Sequence, residues 1–379
     1  MRKPVLDELS SFLVMNVLEK AQALEKQGKS IIHLEIGQPD FTTPECIMDA
    51  AAKAMRDGQT GYTNSMGILP LREALAEYYE QEYNVTVSPE RIVIANGTSP
   101  AMLLLFAALF DGGGEALVPD PCYACYNNFI LYTGGSVTSV PTRESEGFQL
   151  KVADVAKAVT PNTKAILTNS PSNPGGTIIS DEDLKALCDL KPMLVSDEIY
   201  HGMVYEGKAA SALQFSDDVC VLDGFSKRYA MTGWRLGWMV VPERFIPAIR
   251  KLQQNFFVCP NSIAQWAGIA ALQKAAPDVE RMRLEYARRR LVLLDGLRSL
   301  GFGIKSTPVG AFYILANAQH LGSNSLELAF DILEKAGVGV APGIDFGPGA
   351  EGYLRFSYAN SVENIQEALH RLKKYIENR

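Results

Sequence analysis

The chain has 379 residues, 47% of them hydrophobic and 21% charged. That is the balance of a globular protein with a sizeable core, and it excludes a disordered or fibrous chain. A net charge of −7 excludes a basic nucleic-acid surface, so any anion must be held by a few local cations or by backbone N–H groups.

In chain order, apolar positions at helical spacing (Phe12, Met15, Val17, Leu18, Ala21, Leu24) predict a first helix that stops at Gly28. Segments 44–57 and 69–83 read as helices, 91–95 as a strand, 100–110 as an apolar helix and 115–118 as a strand. Further β-rich runs cover 136–140, 165–168, 193–196, 219–223 and 236–241, with helical patterns at 152–158, 181–189 and 243–254 between some of them. Apolar β-runs alternating with helices predict an α/β domain on a mostly parallel sheet. From about 279 the texture changes to a long charged helix over 280–300, two short strands, a helix at 325–336, a strand at 353–357 and a terminal helix from 362. The expected division is a large α/β domain over 31–278 and a smaller α+β domain made of 1–30 and 279–379.

Six cysteines are scattered along the chain, and only Cys122 and Cys125 have a redox or half-zinc spacing. No second Cys/His pair accompanies them, so no metal or disulfide is expected. The opening MRKPVLDELSSF lacks the apolar stretch of a secretory signal, and no apolar run long enough for a membrane helix follows. A cytoplasmic, reduced setting is the expectation.

The most informative stretch is VCVLDGFSKRYAMTGWRLGWMVV over 219–241, where Lys227 lies among small residues between two apolar strands. Desolvation and a nearby cation, Arg235, would lower the pKa of such an amine and suit it to imine formation. Ser226 and the forked guanidinium of Arg235 could contact a phosphate; a strand-flanking surface turn with ordinary charges is the alternative. Upstream, Gly97-Thr98-Ser99-Pro100 follows a strand and opens a helix. Helix N-termini bind phosphate through free N–H groups, although the same residues also make a good helix cap. Asp197 ends an apolar strand where α/β sheets bind ligands, with Tyr200 just beyond; Glu198 reads as a supporting or solvated acid. Asn173-Pro174-Gly175-Gly176 is a turn after another strand, and Arg355 alternates with Leu354 and Phe356 as on a strand.

Gly224-Phe225-Ser226-Lys227 followed by Gly233-Trp234-Arg235-Leu236-Gly237 resembles the pyridoxal 5′-phosphate (PLP) attachment signature of class I/II aminotransferases, which share the fold-type I architecture of aspartate aminotransferase. The other motifs fall in that family's order from Ile36 to Ala359. The resemblance implies that Lys227 carries PLP as an imine and shuttles a proton. It implies that Asp197 keeps the pyridine nitrogen protonated, and that Tyr200 and Asn173 bond the phenolic oxygen. Gly97, Thr98, Ser99, Ser226 and Arg235 would hold the phosphate, Tyr123 would stack on the ring, and Tyr62 would reach the phosphate of a neighbouring subunit in a homodimer. Arg355 would grip the substrate carboxylate, and the Gly37 backbone would face the substrate. Taken alone, Tyr123 reads better as a half-buried core tyrosine and Arg355 as an exposed edge-strand cation.

The expected reaction is transfer of the amino group of an amino acid to a 2-oxo acid. Ser99 stands where some aspartate-using members place a lysine, and 253–258 offers no arginine. A neutral or aromatic donor is therefore expected, with Phe256, Phe257, Tyr123 and Tyr126 either lining its pocket or packing in the core. A carbon–sulfur β-lyase on the same scaffold and a catalytically silent PLP-binding domain remain alternatives.

Overall fold

The computed structural model describes residues 5–379. Within them the strands are β1 (Ile32–His33), β2 (Ile92–Ala95), β3 (Glu115–Asp120), β4 (Ser136–Pro141), β5 (Thr163–Asn169), β6 (Met193–Asp197), β7 (Cys220–Gly224), β8 (Gly237–Val240), β9 (Tyr313–Asn317), β10 (Val338–Gly339), β11 (Ala341–Pro342) and β12 (Tyr353–Ser357). Seven of these form one sheet in the order β2-β8-β7-β6-β5-β3-β4. Every pairing is parallel except those of β8, which runs antiparallel to both β2 and β7.

The central strands read as unbroken apolar runs because both faces of the sheet are covered. On one face Ile94, Ile166, Leu194 and Val221 pack against the helices Glu45–Arg56, Leu69–Tyr83 and Ser262–Lys274. On the other, Val93, Leu167, Val195 and Leu222 pack against Thr98–Leu109, Cys125–Tyr132 and Ile246–Phe256. Alternate residues of each strand thus point into different cores, as the period of two demands.

The C-terminal part builds a second layer. Strands β11, β12 and β9 form an antiparallel sheet in that order, and β10 pairs in parallel with β1. The helices Ala276–Ser299, Ser325–Ala336 and Val362–Glu377 cover this layer around Leu294, Ile314, Ile332, Phe356 and Leu372. The first helix, Leu13–Glu25, buries Val17, Ala21 and Leu24 against Leu333. The fold is a fold-type I α/β architecture, a large mixed sheet between helices with a smaller α+β part.

Most of the predicted elements stand within a few residues of their expected bounds, where capping and fraying blur any assignment. Differences have physical causes. The helix Ser262–Lys274 has no apolar stripe to detect, because Ala264, Ala267, Ala270 and Ala271 bury it on several sides. Strands β1, β10 and β11 are two residues each, too short for alternation. The two short strands expected after residue 300 resolve into β9 and an isolated bridge between Gly303 and Asn317. Phe12 precedes the first helix instead of lying on its apolar face. No helix among the described residues is long and apolar enough to cross a membrane.

Candidate active site

The C-terminal ends of β5, β6 and β7 open toward the second layer, as ligand-binding edges of parallel sheets do. A cavity of about 300 Å³ lies there. Gly37, Thr98, Ser99, Tyr123, Asn173, Asp197, Tyr200, Ser226, Lys227, Arg235 and Arg355 all line it; of the residues expected to hold cofactor or substrate, Gly97 and Tyr62 do not.

Asp197 is the last residue of β6, in register with Asn169 at the end of β5. Its Oδ2 accepts a hydrogen bond from the Tyr126 hydroxyl at 2.5 Å and its Oδ1 from the Ile199 N–H at 3.2 Å. Burial pushes this carboxyl up to about 6, against the pull of those two donors and of the Lys227 charge. Asn169 fixes the adjacent turn: its amide donates to the Asp197 carbonyl at 2.9 Å, and its Oδ1 accepts from the Asn173 N–H at 2.7 Å. The Asn173–Pro174 bond is cis; so is Ser170–Pro171. Glu198, expected to support the site or face solvent, is buried, its Oε1 accepting from Ser196 Oγ at 3.0 Å and from the Ala212 N–H at 2.9 Å.

Lys227 sits on the short helix Phe225–Arg228 that follows β7. Its Nζ donates to the Gly37 carbonyl at 2.6 Å. Burial first, and then the charges of Arg355 and Arg235, lower its pKa to about 8, while Asp197 opposes them. A lysine in that state is a substantial fraction neutral near pH 7–8, the form a nucleophilic amine needs.

The helix Thr98–Leu109 begins at the cavity with Gly97 as its cap residue and no side-chain cap, so the N–H groups of its first residues, Thr98 and Ser99, have no capping side chain to pair with. Gly97 holds φ at 101°, and a Cβ there would stand 2.6 Å from Arg235 Nη2. The glycine therefore lets a guanidinium approach a helix N-terminus, two elements that share an affinity for anions. Arg235 itself adopts φ 53° and donates through Nη1 to the Thr232 carbonyl at 3.0 Å.

Arg355, in the middle strand of its sheet, is 2% exposed, unlike the edge-strand cation that its sequence alone would allow. Nη1 donates to Asn173 Oδ1 at 2.9 Å and Nη2 to the Glu35 carbonyl at 2.5 Å. The guanidinium lies 4.2 Å from the Tyr313 ring centroid and 4.8 Å from that of Phe346, two aromatic contacts that help hold the fork in one orientation. Tyr313 also shares a hydrogen bond of 2.9 Å with the Tyr200 hydroxyl. A Cβ on Gly37 would collide with the Tyr313 hydroxyl at 2.1 Å, so only glycine brings that carbonyl to Lys227.

Tyr123 lines the cavity and meets Tyr126 edge-on, ring centroids 5.3 Å apart. Tyr62 is 89% exposed. Phe256 is 62% exposed and Phe257 packs, partly buried, on the core over the second face of the large sheet; neither lines the cavity of this chain. The cavity's apolar wall takes Ile36, next to Gly37, together with Phe12, Val14, Met15, Met102 and Ile199, for which no local pattern pointed to the site. Tyr126, expected in the pocket or the core, lines the cavity while buried, and Tyr313 is the polar contributor missed.

Together these groups offer an anion cradle, a buried carboxylate, a depressed amine and a second anion fork in one enclosure. The sequence pattern described as aminotransferase class I and II matches residues 29–372. The chain is 40% identical to a (5-formylfuran-3-yl)methyl phosphate transaminase of Methanocaldococcus jannaschii, over 97% of each chain. It is 37% identical to a valine–pyruvate aminotransferase of Mycobacterium tuberculosis, over 96% of each. Its fold superposes on an aspartate aminotransferase of Thermus thermophilus, solved with maleate, at a TM-score of 0.94 and 38% identity, covering 99% of this chain and 100% of that one. Site and comparisons agree: this chain belongs to the class I and II aminotransferases.

Proposed function

We propose that the protein uses PLP, held on Lys227, to move the amino group of a neutral or aromatic L-amino acid to a 2-oxo acid, and that it works as a cytoplasmic homodimer. One observation carries the reading. The Lys227 amine, the Asp197 carboxylate and the Arg355 fork face a single cavity at the strand ends, beside an uncapped helix N-terminus.

The residues present fit the cofactor. Its phosphate has the N–H groups of Thr98 and Ser99, beside Gly97, together with Ser226 and Arg235. Its ring nitrogen has Asp197, whose buried carboxylate is stabilised by a proton on that nitrogen. Its phenolic oxygen has Tyr200 and the amide of Asn173, whose Oδ1 is already turned to Arg355. Tyr123 supplies a ring face. When bound, the pyridinium ring is an electron sink for charge developing at the substrate Cα.

The chain's own groups then do four things. Arg355 binds the substrate carboxylate in place of the Glu35 carbonyl. Lys227 would act as the acid and base that moves the proton at the substrate Cα. Gly37 steers that lysine through its carbonyl. Asp197 holds the proton on the ring nitrogen.

Among the described residues, the cations lining the cavity are Lys227, Arg235 and Arg355, and each has an assigned partner. A second carboxylate on the substrate would be buried without a counter-ion, which is costly. Phe12, Met15, Ile36 and Tyr123 favour an apolar or aromatic side chain instead. The exposure of Tyr62, with Phe256 and Val258 also on the surface, supports a second copy covering this region and sharing its active site. The six unpaired cysteines support a reducing compartment. We also propose the division into domains at 31–278 and at 1–30 with 279–379, which the separate cores around the two sheets support; β1 crosses to the second layer at its start.

The test is a panel of half-reactions, following the cofactor absorbance of the purified protein against single amino acids. Phenylalanine or leucine should convert the cofactor with a higher kcat/KM than aspartate. Equal or faster conversion by aspartate would remove the substrate assignment.

A further inference from the structure

The apolar wall of the cavity hangs on a segment that cannot cap itself. The helix Leu13–Glu25 starts at Leu13, and Phe12 before it has no side-chain acceptor for the first N–H groups. Those groups are satisfied from across the chain. Asp345 Oδ1 accepts from the Leu13 N–H at 2.9 Å and Oδ2 from the Val14 N–H at 3.1 Å. The preceding turn is pinned as well, Ser10 N–H donating to Asn128 Oδ1 at 3.1 Å and Asn128 Nδ2 to the Ser10 carbonyl at 2.9 Å. Phe12, between these two anchors, and Met15, directly after the second, reach the cavity, with the Phe12 ring edge-on to Tyr123 at 6.2 Å between centroids.

Asp345 is buried in the turn Gly343–Phe346, and its neighbour Phe346 touches the rest of the site. The Phe346 ring lies against the Arg355 guanidinium at 4.8 Å, and its carbonyl accepts from the Cys122 N–H at 2.9 Å, next to Tyr123. One short turn therefore sets the relative positions of the carboxylate fork, the stacking tyrosine and the apolar wall. A buried carboxylate at a helix N-terminus is favourable through both hydrogen bonds and the helix dipole, so the anchor is strong where Phe12 alone offers nothing.

We propose that Asp345 is a positioning residue for substrate selection: by tying down residues 12–15 it holds Phe12 and Met15 where they contact the substrate side chain, and so confers the preference for bulky apolar donors. The inference rests on the substrate reading above. A donor as small as alanine does not extend to that wall, whereas phenylalanine does, so loosening the anchor affects the two unequally.

The experiment compares Asp345→Ala, Asp345→Asn and Phe12→Ala with the unaltered holoenzyme, measuring single-turnover kcat/KM for phenylalanine and for alanine, PLP affinity and thermal stability. Losing an apolar subsite lowers kcat/KM for phenylalanine by about tenfold or more. That loss is expected mainly in KM, with alanine turnover and PLP affinity little changed. Asp345→Asn, which keeps one acceptor oxygen, should recover part of the loss. The Phe12→Ala change should reproduce the pattern without touching the anchor, and combining it with Asp345→Ala should add little. A purely structural Asp345 would instead lower stability and depress both substrates together, which overturns the proposal. So does an unaltered preference in Asp345→Ala. If the unaltered enzyme shows no preference for phenylalanine over alanine, there is no bulky-donor preference for Asp345 to confer and the proposal falls, whereas the neutral-or-aromatic reading fails only if aspartate is converted as well as phenylalanine. Should Asp345→Ala not fold, Asp345→Asn and Phe12→Ala still decide between these outcomes.

Discussion

Replacing Arg355 by lysine keeps a positive charge at the site and removes the planar fork. In the structure both terminal nitrogens already point at acceptors, Nη1 at Asn173 and Nη2 at Glu35, and the Tyr313 and Phe346 rings pack on the guanidinium. A carboxylate that displaces the Glu35 carbonyl meets two preoriented, charge-assisted donors, each worth about 1.5–3 kcal/mol. A lysine ammonium retains one such contact and cannot stack as a plane, so the expected net loss is about 2–3 kcal/mol, or roughly 30- to 150-fold in kcat/KM of the amino-acid half-reaction. The assay is stopped-flow absorbance against amino-acid concentration, with PLP affinity titrated in parallel. Affinity for PLP should be little affected, because Arg355 has no role at its phosphate. A parallel fall in both affinities, or an amino-acid half-reaction at the original rate, would refute the assignment.

Two further outcomes follow from the electrostatics of the cavity. Capture of PLP by the cofactor-free protein requires the neutral Lys227 amine, whose pKa is lowered to about 8 by burial, Arg355 and Arg235. The capture rate should rise with pH up to about 8 and level off above it, and Arg355→Ala should move the inflection upward by removing a cation; a profile still rising toward the ordinary lysine value of 10.5 would contradict this. Tyr126→Phe removes the hydroxyl that favours ionised Asp197, whose carboxyl burial already raises to about 6. The acid limb of the kcat/KM profile should therefore shift to higher pH, by roughly one unit for a hydrogen bond of about 1–2 kcal/mol, whereas an unmoved limb would show that Tyr126 does not tune Asp197.

Much of this was readable from residue order because strand chemistry and site chemistry coincide. The runs that become β5, β6 and β7 have apolar centres over 165–167, 193–195 and 220–222, and Asn169, Asp197 and Lys227, which end or follow them, reach the cavity. Lys227 stood out since glycine and serine surround it where a surface lysine has no such company. Arg355 could be put on a strand by alternation, but its burial could not be foreseen, because that depends on β11 and β9 flanking it and on two aromatic rings from distant segments. Phe12 and Met15 carry an ordinary apolar pattern, and nothing local says that one precedes the helix while the other faces a cavity. Asp345 belongs to no motif; its role exists only because residue 345 meets residues 13 and 14 in space. Long-range closure of this kind is the part that sequence spacing does not encode.

The central claim is a covalent one and has a direct measurement. The protein saturated with PLP is reduced with borohydride, digested, and its peptides are mapped by mass for a pyridoxyl-phosphate adduct. The account predicts a single modified residue, Lys227, and neither visible cofactor absorbance nor adduct in a folded Lys227→Ala variant. An adduct on any other lysine of the native protein, or retention of that absorbance without Lys227, would contradict it.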